Sequence, residues 1–184
     1  MAAGRTVAAF ALLGAISGAT TTGLLMALSD QWKIESIDLF IVSPLSIVAG
    51  LVFGVIFGAF LRYLGLASAG IAVLYAVAST ISYFVAVNLA LHLSEFVASP
   101  MLLGAIAGFV GATCLTAAAA LLLPFARRVG PCALMLTAGG FLGTLLDTPA
   151  RGDGGILIWL ILFGPWQAGY AAAFATALPP GVRD

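Results

Sequence analysis

Apolar residues run along this chain in long blocks, and most of the charged positions fall between the blocks. A block of about 20 apolar residues is long enough to cross the hydrocarbon of a bilayer as a helix. The pattern predicts six such spans, over 6–28, 40–62, 66–92, 101–125, 130–147 and 155–178. The connections between them are short, so no soluble domain fits, and 1–184 reads as one transmembrane helical domain. In lipid each backbone N–H and C=O must be satisfied within its own helix, which makes the expected class all-α. Arg5 ahead of the first block, with Ala27-Leu28-Ser29 behind it, resembles a signal peptide. That block is longer than a signal h-region needs, so it is read as the first span.

Composition supports the pattern. Apolar residues are 62% of the chain, charged residues 8%, and the mean hydropathy is +1.18. A soluble domain carries about 25% charged residues, and this chain has too few to cover a surface in water. The two cysteines, Cys114 and Cys132, have no disulfide or metal spacing and read as small packing residues. No cofactor, metal or nucleic-acid partner is expected; the expected partners are the lipid bilayer and, beyond it, further copies of the chain or other membrane subunits.

The few charges give a topology. Arg5, Arg62, Arg127, Arg128 and Arg183 fall on one side of the six spans, and Lys33 and Arg151 on the other. The side richer in Arg and Lys is cytoplasmic, which puts both termini in the cytoplasm and the protein in the plasma (inner) membrane. Asp30, Glu35, Asp38, Glu95, Asp147 and Asp153 fall outside. Pro149 ends the fifth span by disfavouring helical geometry at Thr148. Asp147 then sits at a helix C-terminus, where the macrodipole is negative, so a compensating partner is expected. Arg151, His92 or Glu95 are the candidates, with Asp147 as the outward mouth of a site. The plainer reading is a solvated loop.

Two stretches match each other. "LLGAISGATTTGLL" at 12–25 and "LLGAIAGFVGATCL" at 102–115 agree at seven of fourteen positions. Spans 2 and 5 carry Ala49, Gly50, Gly54 and Ala138, Gly139, Gly143 at nearly the same offset. A three-span unit repeated once must be inverted, the build of many transporters with a site near mid-membrane. Abundant Gly and Ala also produce such matches by composition. Either way Gly14 and Gly18, Gly50, Gly54 and Gly58, Gly104 and Gly108, and Gly139 and Gly143 form smooth strips for close helix packing.

No charged residue lies mid-span, which disfavours proton coupling through a buried carboxylate. The mid-depth polar groups are Ser17, Thr20, Ser79, Thr80, Ser82, Thr113, Thr116, Thr137 and Gln167. Hydroxyls in helices bond back to the preceding turn, so these are either satisfied locally or line a path for a small neutral solute. Span 6 holds "LFGPWQAGY", in which Pro165 removes a helical donor beside Trp166, Gln167 and Tyr170. Span 3 ends with Asn88, His92 and Glu95 at i, i+4 and i+7, one helical face at the outer boundary. Those six residues and Asp147 are the candidate path.

The stretch "FGVIFGAFLRYLG" at 53–65, followed by Asn88 and "GFVGATCLT" at 108–116, resembles small fluoride channels. That family has fewer spans and the match covers a small part of the chain, so no residue role is carried across. By size alone the chain is similar to the substrate-capture subunits of energy-coupling-factor importers. "GAISG" around Ser17 is faintly similar to the serine loop of rhomboid proteases; a serine nucleophile needs a base, and His92 is the sole candidate. The expectation is a transporter or channel-type permease rather than an enzyme, with a membrane partner, scaffold or substrate-capture subunit as the alternative.

Overall fold

The computed structural model describes residues 2–28, 35–37, 40–42, 44–146 and 155–183. Six helices dominate: α1 (Ala2–Leu28), α2 (Pro44–Tyr63), α3 (Ala69–Leu93), α4 (Pro100–Leu122), α5 (Val129–Gly143) and α6 (Gly155–Ala175). A final turn, α7, spans Pro180–Arg183. Among the described residues α1 to α4 are long and apolar enough to cross a membrane, and α5 is shorter.

Local chemistry sets the ends. Ser68 and Ser99 cap α3 and α4 by accepting hydrogen bonds from the Ile71 and Leu102 amides, each at 3.3 Å. Pro100 opens α4, where its missing N–H costs nothing. α2 ends through Gly65 at φ 70°, a left-handed position that a side chain would strain. Pro124 stops α4, and a 3-10 turn over Pro124–Arg127 follows. There Arg127 Nε donates to Ala120 O at 2.7 Å, satisfying a free carbonyl at the helix end.

Two predicted boundaries are corrected. Residues 40–42, assigned to span 2, instead form a strand β2 (Phe40–Val42) paired antiparallel with β1 (Glu35–Ile37), in register Glu35 to Val42. Pro44 lacks the amide donor a helix interior needs, so the helix begins there. This hairpin is a small exception to the all-α expectation. The fifth span is α5 to Gly143 and then a 3-10 turn, Thr144–Leu146, rather than one helix to 147. Asp147, Arg151 and Asp153 lie outside the described residues.

Each helix packs on the one before and after it, and α6 returns to α1, so the six close a ring. Antiparallel glycine seams bring the backbones together. A Cβ on Gly14 would strike the Gln167 carbonyl, and one on Gly18 would lie 2.6 Å from Gly164 Cα, joining α1 to α6. Gly50, Gly54 and Gly58 press α2 onto Thr80, Ala76 and Ala72 of α3. Gly104 and Gly108 of α4 meet Gly139 and Gly143 of α5.

The outer surface is apolar: Leu12, Val77, Ile81, Phe109, Leu121 and Phe141 are all exposed. Inside the ring the filling is aromatic. Toward the end that carries Arg5 and Arg62, Phe10, Phe57 and Phe174 interlock, with Phe57 and Phe174 edge-to-face at 4.9 Å. Further along lie Phe53, Tyr75, Tyr170, Trp166 and Tyr83.

Candidate functional site in the ring interior

The mid-depth polar side chains differ in how they are satisfied, Thr116 pairing with Tyr170 across helices. Thr20, Thr80, Ser82, Thr113 and Thr137 each donate to the carbonyl four residues earlier, at 2.7–2.9 Å. They are satisfied by their own helices, as side chains of this kind usually are. Ser17, Ser79 and Gln167 are different. All three are buried, and their polar atoms have no hydrogen-bond partner among the described residues.

Gln167 is the clearest case. It is 0% exposed, and neither Nε2 nor Oε1 is bonded. Its position follows from the seam beside it, because the missing side chain of Gly14 lets α1 rest on the Gln167 backbone. Pro165 lies two residues earlier, and α6 continues through it. The Ile161 carbonyl consequently loses its usual donor from residue 165.

Three groups that the sequence did not single out join this set. Tyr75, Tyr83 and Thr21 are buried with unbonded hydroxyls. Tyr75, Ser79 and Tyr83 recur every fourth residue, so one face of α3 carries a hydroxyl at each turn over about 12 Å. That spacing was visible in the sequence as "YAVASTISY". Tyr83 stands within weak hydrogen-bonding reach of the Gln167 carboxamide, and Tyr75 of Tyr170, though neither pair has close hydrogen-bond geometry. Tyr170 does reach Thr116, with Oη and Oγ1 3.3 Å apart. Trp166 completes the group: its Nε1 donates to Gly139 O at 3.0 Å, and its ring stacks on Tyr170 at 5.8 Å. One polar row therefore runs along this face of α3: Tyr75 and Tyr83 stand opposite Tyr170 and Gln167 of α6, while the Cβ of Ser79 between them lies against Gly54 of α2.

The other predicted stripe stands apart. Asn88 is buried and donates through Nδ2 to Phe84 O at 3.0 Å. His92 and Glu95 are exposed near the end of α3, with His92 Nδ1 2.7 Å from Asn88 O. His92 and Ser17 form no hydrogen-bonded pair, so the serine–histidine arrangement an acyl-transfer enzyme needs is not assembled there.

Fold and surface define a helical membrane protein, with a row of unpaired polar groups inside an aromatic-filled ring. No family model, curated protein or solved structure matches the chain.

Proposed function

We propose that the chain is a small permease, of transporter or channel type, that passes a small solute along the facing sides of α3 and α6. The observation that carries this reading is Gln167, fully buried with both polar atoms unbonded. An unsatisfied buried polar group costs about 1–3 kcal/mol. A leucine would sit there more cheaply, so the carboxamide is expected to meet a group that is not part of the protein. The hydroxyls of Tyr83, Ser79 and Tyr75 extend the same row.

The proposal places the arginine-rich end, the termini and the interlocked phenylalanines on the cytoplasmic side of a plasma (inner) membrane crossed six times. The path is then closed toward the cytoplasm and begins from the other face. Two inverted three-helix halves would suit alternating access. The seams weigh against a strict two-fold, however. α1 uses its glycines against α6, whereas α4 uses the matching ones against α5 instead of α3.

Thiol accessibility tests the path. In a chain with Cys114→Ala and Cys132→Ala, Ser79→Cys should react with methyl methanethiosulfonate in membranes. Ala119→Cys in the packed core and Ile81→Cys on the outer surface should not. A Ser79→Cys as inert as both would leave a packed scaffold or partner subunit as the better reading.

A further inference from the structure

At the end away from the arginines, α3, α4 and α6 part to leave a slot of about 290 Å³. Its walls include Ala86 and Ala90 on one side, Gly104 and Ala107 on another, and Phe163 and Trp166 on the third. Among the described residues no Asp, Glu, Lys, Arg or His lines it. The small residues make the room. The slot follows α3 from Ser94 to Tyr83, about 16 Å of helix.

The deep end differs chemically from the walls. Tyr83 lines the slot, is more than nine-tenths buried, and has an unbonded hydroxyl. Its hydroxyl neighbours the carboxamide of Gln167, which is not part of the slot's lining and has no partner in close hydrogen-bond geometry among the described residues. The Tyr83 ring meets Trp166 edge-to-face at 5.2 Å, so this pair partitions the slot from the polar row.

We infer that the slot binds an uncharged amphiphile, an apolar chain along the slot with one compact amide-like head at Tyr83 and Gln167. The inference rests on the reading of Gln167 as a group that meets a ligand. The head follows from complementarity. A carboxamide offers a donor and an acceptor side by side, and its best partner offers the same pair reversed. An ionic head would be desolvated against apolar walls that hold no countercharge among the described residues. A polyol would leave most of its hydroxyls unpaired. A bare alkane suits the walls but leaves Gln167 unpaired. For the head to reach the carboxamide, Tyr83 turns aside, which joins the slot to the polar row.

The test uses Trp166 as its reporter. The chain has three tryptophans, so Trp32→Phe and Trp159→Phe leave Trp166 alone. In lipid nanodiscs, with empty nanodiscs as reference, octanamide should change its fluorescence saturably. It should bind about tenfold or more tighter than octanoate at pH 8, octylammonium or octane. Gln167→Leu should erase that preference. Ala90→Phe or Ala107→Leu, which fill the slot from opposite walls, should weaken octanamide binding. Equal affinity for the ions, or an unchanged preference in Gln167→Leu, overturns the inference. With no saturable binding but a reactive Ser79→Cys, the slot inference fails and the path stands. With octanamide binding but an inert Ser79→Cys, the site stands and the permease reading fails.

Discussion

Gln167 is a residue whose chemistry and stability pull in opposite directions. Some buried polar side chains have settled their hydrogen bonds within their own helix, as Ser82 does with Ala78 O at 2.8 Å and Asn88 with Phe84 O at 3.0 Å. Gln167 has not. Replacing it with leucine removes two unsatisfied atoms at similar volume, so Gln167→Leu should raise stability by about 1–3 kcal/mol. Thermal unfolding in detergent reads this, alongside the loss of amide preference. A lower melting temperature would mean the carboxamide has a structural partner. Trp166 gives the contrast, because its indole is bonded to Gly139 O. Trp166→Phe should therefore destabilise by about 1 kcal/mol, read in the same assay.

Among the elements, the seams decide which helices touch. A seam without side chains lets backbones approach closely, and van der Waals contact over its length holds the pair. A Cβ at Gly108 would strike the Gly139 carbonyl, whereas one at Gly23 of the same glycine-rich kind meets nothing within 4 Å. Gly108→Leu should thus cost about 1–3 kcal/mol or more through overpacking. Gly23→Leu should leave the melting temperature near its starting value. Equal effects at the two positions would show that the α4–α5 seam is not close-packed. The glycine strips were readable in the sequence as G-x-x-x-G spacings, but their partners were not. Spacing says that a face is smooth, and only the assembled ring says which neighbour lies on it.

For the molecule as a whole, the arginines report orientation. Arg5, Arg62, Arg127 and Arg128 all lie at the end where Phe10, Phe57 and Phe174 interlock, and the slot opens at the other. A chain oriented by the positive-inside rule should then expose a reporter cysteine at Ser36, but not one at Val182, to an impermeant maleimide on intact cells. Cys114 and Cys132 are replaced by alanine for this measurement. Labelling at Val182 alone would invert the topology and turn the slot toward the cytoplasm.

The class was legible from residue pattern alone, because apolar blocks of membrane length with few charges have no alternative home in water. Single residues decide several helix ends, at Pro44, Ser68, Ser99 and Pro124, yet the apolar blocks ran past Pro44, Ser68 and Pro124 and only the start at Ser99 fell within a residue or two. The start of α2 was misplaced since Phe40, Ile41 and Val42 are as apolar as a span, and hydropathy does not separate a strand from a helix. The candidate path was legible in part. Trp166, Gln167 and Tyr170 stood out beside Pro165, and Ser79 among the mid-depth hydroxyls, while Tyr75 and Tyr83 were passed over although they flank Ser79 at four-residue spacing. Depth along a helix can be counted from sequence, but the direction a side chain faces depends on which helices close around it. Whether a hydroxyl bonds to its own turn or stands unpaired in the interior is settled by those neighbours. Tertiary structure therefore separated Ser79 from Thr80, adjacent residues of nearly identical chemistry, and placed only the first in the polar row.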